Sequence, residues 1–142
     1  MVRTITRYLG AAASLGVGAV HAQQYYGAYF SSVPTIGTLF LLSFIGSGAT
    51  GALLLAPIGR FGRRGEVILA AAAAGAIAIA LGSLVALLYS EHAPLFGFME
   101  YDYRLAVVLT LVLDVLTAVL LGAFLLVSRA TACSQAASVR RS

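Results

Sequence analysis

One acidic side chain interrupts the most apolar stretch of the chain. Asp114 lies within Leu105 to Val127, where leucine and valine predominate. A charged side chain at the centre of a membrane-spanning helix costs about a few kcal/mol and often marks a proton or ion pathway. The acid can instead be structural, bonded to hydroxyls such as those of Ser43, Ser47, Thr50 or Ser83. We favour the structural interpretation, because one acid without a second ionisable group at the same depth makes a poor pathway.

Histidines, acids and aromatic residues gather in two other parts of the chain, residues 21–30 and 89–103. The ionisable candidates are His21, His92 and Glu100, and the aromatic ones are Tyr25, Tyr26, Tyr29, Phe96, Phe98 and Tyr101. Imidazole is a good ligand for zinc, copper and iron. No close spacing links these side chains, so we predict neither a metal site nor a resident cofactor. An aromatic belt at a membrane interface is the simplest interpretation, and a haem, quinone or lipid site is the alternative.

Motifs of common enzymes do not occur in the sequence. The glycines precede no Lys-Ser or Lys-Thr pair of a phosphate-binding loop, and there is neither a serine nucleophile elbow nor a His-Glu-x-x-His motif. The single cysteine, Cys133, excludes an internal disulfide and a multi-cysteine metal site. We therefore predict no catalytic residues.

The candidate side chains must be positioned by a fold that suits lipid better than water. The 142-residue chain has a mean hydropathy of +0.96 and only 10% charged residues, against about 25% in ordinary soluble domains. Crossing the hydrocarbon core takes about 20 apolar residues per helix, so the length suits about four spans. We predict an all-α integral membrane four-helix bundle, formed by a single transmembrane domain of residues 1–142.

The predicted spans cover about residues 5–22, 35–56, 67–89 and 105–127. Pro34 and Pro57 bracket the second, because a proline is tolerated at the start of a helix and stops one at its end. The first span is short and rich in glycine. It reaches across the membrane only if Arg7 extends its charged end to the interface.

Arginine supplies all nine basic side chains and sets the predicted orientation. Eight lie on one side of the predicted bundle and Arg104 alone lies on the other; the eight are Arg3, Arg7, Arg60, Arg63, Arg64, Arg129, Arg140 and Arg141. Because arginine concentrates on the cytoplasmic side, we predict a plasma-membrane protein with both termini inside (N-in/C-in). The arginines flank apolar segments and form no patch, so we expect the lipid bilayer, and not nucleic acid, as partner.

The first span has a second interpretation as a secretory signal peptide. Arg3 and Arg7 form a basic start, Gly10 to Val20 a short apolar region, and Val20-His21-Ala22 a small-residue cleavage site. A mature chain beginning at Gln23 would be the mark of this alternative. The other three spans keep their orientations under both interpretations.

Small residues recur every four positions in three of the spans. They are Gly10, Ser14, Gly18 and Ala22 in the first, Ser43, Ser47 and Gly51 in the second, and Ala74, Ala78 and Gly82 in the third. Such stripes let the backbones of membrane helices approach one another. They favour a compact bundle, or contacts with a membrane-protein partner or a second copy of the chain, and do not separate the two.

Three features together resemble a known group of proteins. They are His21 at the end of the first span, Val33-Pro34-Thr35-Ile36-Gly37-Thr38-Leu39-Phe40-Leu41-Leu42 opening the second, and Leu95-Phe96-Gly97-Phe98-Met99-Glu100 before the fourth. With them, most of the chain resembles the small four-span membrane proteins common in actinobacteria. The resemblance implies the topology and the plasma membrane and supplies no activity. It draws attention to His21, the Pro34–Gly37 turn and Glu100.

The sequence leaves three functional hypotheses. The leading one is a non-enzymatic accessory or structural membrane component, because the chain is small, has helix-packing stripes and lacks a catalytic motif. The first alternative is a small transporter or proton-coupled carrier that uses Asp114. The second is a redox membrane protein that binds quinone or haem through His21 and the nearby aromatic residues.

Overall fold

The computed structural model describes residues 1–28, 30–97, 99 and 104–139, with side chains described up to residue 131. Four long helices account for most of this part of the chain: α1 (Val2–Gly27), α2 (Pro34–Leu55), α3 (Gly62–Ser90) and α4 (Leu105–Val139). Two short 3₁₀ helices, Phe30–Ser32 and Ile58–Phe61, connect α1 to α2 and α2 to α3. The described residues contain no β-strand, so the all-α prediction is confirmed for them.

The helix ends follow local sequence signals. Pro34 occupies the first turn of α2, where its missing N–H is not needed, and α2 ends just before Pro57. Gly62, with a φ of 60°, turns the chain into α3. α3 and α4 extend beyond the predicted spans 67–89 and 105–127, because the predicted spans include only the apolar residues needed to cross lipid. The helix continues through the polar residues that follow α4's apolar stretch.

Three segments are long and apolar enough to cross a membrane: Pro34–Leu55, Ile58–Ser90 and Leu105–Thr131. They correspond to the second, third and fourth predicted spans. α1 is not among them. It is 26 residues long but carries Arg3, Arg7, His21 and two glutamines, which lower its hydropathy.

The four helices form a bundle in which α1 packs on α2 and α4, and α3 packs on the same two helices. α1 and α3 therefore lie diagonally opposite each other. Short connections join α1 to α2 and α2 to α3, which is typical of antiparallel neighbours in a bundle. We call the end at which α1 begins the Arg end, after Arg3 and Arg7, and the opposite end the His end, after His21.

Ser14 and Gly18 of the small-residue stripe in α1 face the stripe of α2, whereas Gly10 faces α4. A Cβ added at Gly18 would lie 3.3 Å from the Phe44 carbonyl oxygen, and one at Gly51 would lie 2.8 Å from a Leu15 methyl carbon. Ser14 also donates a hydrogen bond to the Ser47 carbonyl oxygen at 3.1 Å. In α3 a different set of small residues packs inward, namely Ala72, Ala73, Ala76 and Ala80. The predicted α3 residues Ala74, Ala78 and Gly82 lie on the exposed side.

Arginine side chains fasten α1 to the other three helices at the Arg end. Arg3 pairs with the Glu66 carboxylate in α3 and donates to Ser128 Oγ in α4 at 2.9 Å. Arg7 donates to the carbonyl oxygens of Leu54, at 2.7 Å, and Ala56. These carbonyls lie at the end of α2, where a helix leaves acceptors without partners. Arg7 thus caps α2, whereas the sequence predicted only that it reaches the interface.

Candidate functional site

Asp114 lies on α4 in the interior of the bundle and is completely buried. Neither of its carboxyl oxygens has a hydrogen-bond partner, and the same holds for the buried hydroxyl of Thr117, one turn further along α4. Buried polar atoms are nearly always hydrogen-bonded. A cluster of unpartnered oxygens at the centre of a bundle is therefore the feature that most needs an explanation.

The helix register identifies the surroundings of Asp114. A Cβ at Gly10 would meet Leu121, and one at Gly16 would meet Leu113, so antiparallel α1 and α4 set Asp114 across from the middle of α1. Ser83 of α3 interacts with the Asp114 carboxyl. Neither carboxyl oxygen has a partner with hydrogen-bond geometry, so this contact is not a formed hydrogen bond.

Ser83 was one of four hydroxyls that the sequence offered as partners of Asp114. The others are used elsewhere. Thr50 donates to the Gly46 carbonyl oxygen at 2.8 Å. Ser47 is buried beside Ser14. Ser43 lines a cavity.

His21 of α1 is also buried, with 4% of its surface exposed. Its Nδ1 lies 2.8 Å from the Val17 carbonyl oxygen. A carbonyl oxygen only accepts hydrogen bonds, so Nδ1 carries the proton and donates it. In the neutral ring Nε2 is then an acceptor, and it faces Ser83 Oγ at 3.5 Å. The Phe40 ring, with its centroid 5.5 Å away, covers the imidazole.

His21, Ser83 and Asp114 therefore form one row of polar side chains through the bundle, which we call the buried polar row. It joins α1, α3 and α4, and Ser83 stands between the two ionisable groups. The order differs from that of a catalytic triad, in which histidine lies between serine and the acid. The arrangement can pass a proton between an imidazole and a carboxyl through a hydroxyl, and it offers no activated nucleophile.

A cavity of about 400 Å³ adjoins the row at the His end. Its walls are mostly apolar and come from all four helices, with Leu39 and Phe40 from α2, Ile79 and Ala86 from α3, and Val107 from α4. Its polar lining residues are His21, Gln24, Ser43, Ser83, Ser90, Arg104 and Thr110. This volume and this mixture of surfaces are typical of small-molecule sites.

The cavity lies where α2 and α3 are not packed tightly together. Their close approaches are nearer the Arg end, where a Cβ at Gly46 would lie 2.7 Å from Ile79 Cδ1 and one at Gly75 would lie 3.5 Å from Thr50 Cγ2. The lining residues Leu39 and Leu42 are 41% and 59% exposed. The cavity thus continues to the outer surface of the helices.

The predicted site residues His92, Tyr25, Tyr26 and Phe96, which the structure describes, do not line this cavity. His92 is exposed, and its Nδ1 lies 2.9 Å from the Leu88 carbonyl oxygen. The rings of Tyr25 and Tyr26 contact each other edge to face at 4.8 Å, and Phe96 is 65% exposed. Glu100, Tyr29, Phe98 and Tyr101 lie outside the described residues. The described residues contain no group of three side chains suited to holding a metal ion.

The sequence did not single out Gln24, and it named Phe30 only among the aromatic residues of 21–30 and Phe40 only within the motif that opens the second span. Phe30 packs edge to face on Phe40, with ring centroids 5.0 Å apart, and Phe40 covers His21. Gly37, in the predicted Pro34–Gly37 turn, lies within α2 against the Phe30 backbone. An available signal was the i, i+3 spacing of His21 and Gln24, which puts both on one helix face.

Comparisons with known proteins add no further constraint. No family model matches the chain, and neither a curated protein nor a solved structure matches it.

Proposed function

We propose that the chain is a four-span, multi-pass protein of the plasma membrane, with both termini in the cytoplasm. Within that membrane it acts as a non-enzymatic accessory component that holds an amphipathic lipid in the cavity at the His end. The cavity carries this proposal, because it combines apolar walls, polar groups at its inner part and continuity with the lipid-facing surface.

The fourth span in this proposal is α1, and its contacts support it. Arg3 and Arg7 bond to the other three helices, and Ser14 bonds to α2. Most of its outward side chains are apolar, with Ile5 and Leu9 about half exposed. A helix with an apolar outer face and polar contacts inward suits a position within a membrane bundle. The arginine bias then assigns the Arg end to the cytoplasm.

An anionic phospholipid suits the cavity best. Its acyl chain matches the apolar walls between α2 and α3, and its head group can accept a hydrogen bond from the Gln24 amide. Arg104 also lines the cavity, and its positive charge favours a negatively charged head group. Such a ligand reaches the site sideways from the bilayer, so the bundle needs no opening to water for it to enter.

Filling the cavity tests the proposal. Gly82 lines the cavity, and a Cβ there meets no atom within 4 Å, so Gly82→Leu adds a side chain without a backbone clash. Gly122→Leu is the matched control, because Gly122 has equal space and does not line the cavity. Both changes raise helix propensity by a similar amount.

The probe is phosphatidylglycerol with a photoreactive diazirine in its acyl chain, reconstituted with the full chain, and mass spectrometry locates the cross-links. We expect labelling concentrated at cavity residues such as Ala78 and Val107 in the wild type and in Gly122→Leu. In Gly82→Leu we expect this labelling to fall several-fold. Uniform labelling of all outward helix faces, or equal labelling in the three proteins, would count against the cavity as a lipid site.

Two other expectations stay predictions. One is the resemblance to the small actinobacterial four-span proteins. The other is a membrane-protein partner or a homo-oligomer, for which the exposed α3 residues Ala74 and Ala78 offer a small-residue surface.

A further inference from the structure

Lipid binding in the cavity does not explain why the Asp114 carboxyl is buried without a hydrogen-bond partner. An ionised carboxylate without hydrogen-bond partners is costly in the interior of a protein and at the centre of a membrane. A neutral carboxylic acid at the same place costs much less. The acid must therefore exchange a proton with some surface of the protein, unless it holds one permanently.

Few ionisable groups lie around Asp114, so few side chains can carry a proton to it. α2 has none between Pro34 and Leu55. In α3 and α4 and directly beside them, the other ionisable residues with described side chains lie near the helix ends: Arg63, Arg64, Glu66, Tyr89, Glu91, His92, Arg104 and Arg129. In α1 Arg3, Arg7 and Tyr8 lie at the Arg end, and Tyr25 and Tyr26 lie beyond His21. His21 is thus the ionisable group that reaches Asp114 through an intervening hydroxyl.

We propose that Asp114 is a proton-binding site that exchanges its proton with the cavity at the His end, through Ser83 and His21, and not with the Arg end. The proposal needs the cavity and no particular occupant, so it stands independently of lipid binding.

Each transfer conserves protons. An additional proton on His21 resides on Nε2, because the Nδ1 proton already bonds to Val17. Nε2 passes this proton to Ser83 Oγ while the Ser83 hydroxyl proton passes to a carboxylate oxygen of Asp114. His21 is then neutral, Ser83 is unchanged and Asp114 is protonated, and release follows the reverse order. Water in the cavity gives and takes the proton at His21. A rotation of the Ser83 side chain brings its hydroxyl into hydrogen-bond geometry with Asp114.

The route ends at Asp114 because the bundle is apolar beyond it. On α4, Thr117 is the next polar group towards the Arg end, and its hydroxyl has no partner. On α1 the buried Ser14 donates to the Ser47 carbonyl oxygen of α2 and does not extend the row. Beyond Thr117 the buried core consists of apolar side chains, including Leu54, Leu69, Ala73, Leu121 and Phe124. No described polar side chain within that cluster continues the row. Protons therefore enter and leave on one side, as in a sensor, and do not cross the membrane along this path.

Infrared spectroscopy of the full chain in lipid bilayers tests the proposal, because a protonated carboxylic acid gives a distinct carbonyl band. The band assigned to Asp114 is the one that Asp114→Asn removes. After transfer into D₂O its shift reports the rate at which the proton exchanges. We expect Ser83→Ala to slow the shift by roughly tenfold or more, since each tenfold step corresponds to a modest rise in barrier.

Two matched controls separate the relay from general disturbance. Ser90→Ala removes another cavity hydroxyl, which bonds to the Leu87 carbonyl oxygen instead of the row, and should exchange at the wild-type rate. Ser83→Thr retains the hydroxyl and should also exchange at close to that rate, which guards against a misfolded Ser83→Ala protein. Gly82→Leu should slow exchange by obstructing the cavity, and Gly122→Leu should not.

Three results would overturn the proposal. The first is an infrared spectrum that Asp114→Asn leaves unchanged at every pH. The second is equal exchange rates in Ser83→Ala and Ser90→Ala. The third is slower exchange in Gly122→Leu than in Gly82→Leu, which would assign access to the Arg end. Lipid labelling is measured separately, so its failure would not be mistaken for failure of the proton site.

Discussion

A methyl group at position 37 has no space to occupy, and this gives a stringent test of the packing that supports His21. An ideal Cβ at Gly37 would lie 2.4 Å from the Phe30 carbonyl oxygen and 3.2 Å from Ser31 Cα. Both are backbone atoms of the short 3₁₀ helix Phe30–Ser32. The clash therefore cannot be relieved by the rotation of a side chain. Gly37→Ala must therefore move the Phe30–Ser32 segment away from α2.

The expected magnitude follows from two opposing effects. Overpacking typically costs about 1–3 kcal/mol, while replacing glycine by alanine within a helix gains about 1 kcal/mol. Gly48→Ala in the same helix is the control, because a Cβ at Gly48 meets no atom within 4 Å. It receives the propensity gain without the clash. We expect Gly37→Ala to be less stable than Gly48→Ala by about 1–3 kcal/mol.

The free energy of unfolding is measured in mixed micelles by titration with sodium dodecyl sulfate, with helix content followed by circular dichroism because the chain has no tryptophan. Displacing Phe30 also removes the ring that supports Phe40 over His21. Gly37→Ala should therefore speed proton exchange at Asp114 as well as lower stability. Equal stability of the two alanine variants would refute the described packing of the 3₁₀ helix on α2.

The remaining predictions concern the Arg end and the topology. Arg7→Met removes both bonds to the end of α2 and should lower the unfolding free energy by about 1–3 kcal/mol, whereas Arg60→Met, at an exposed position, should change it by less than about 0.5 kcal/mol; similar losses in both would contradict the capping role. In a Cys133→Ser background on intact cells, Ser31→Cys should react with a membrane-impermeant maleimide and Arg64→Cys only after permeabilisation, and the opposite pattern would reverse the proposed orientation.

The helices were predictable because long apolar segments in so short a chain are typical of helices that cross lipid. The packing faces of α1 and α2 were predictable as well, since Gly10, Ser14 and Gly18 are small residues on an otherwise bulkier helix. α3 is different. Alanine occupies 70–74 and recurs at 76, 78 and 80, so the sequence shows several equivalent small faces, and only packing against α4 selects Ala73, Ala76 and Ala80.

The buried polar row was not predictable from spacing. His21 and Asp114 were each singled out, but as members of different sites, one at the interface and one at mid-membrane. Their connection depends on the register of α1 against α4. It also depends on Ser83 of α3, which contacts both side chains. Register depends on how Gly10 and Gly16 accommodate Leu121 and Leu113. No pattern within one helix carries that information.

The composition of α1 follows from the same geometry. Mean hydropathy estimates the free energy of transferring a whole helix into lipid. A helix packed in a bundle, however, contacts lipid on one face only. The outward residues of α1, such as Ile5, Leu9 and Leu15, are apolar. Its polar residues Arg7, Ser14 and His21 are satisfied by α2, by α3 or by α1 itself. Most of the residues that lower its hydropathy thus hold the bundle together or belong to the polar row, so the low hydropathy of α1 reflects its contacts with the other helices.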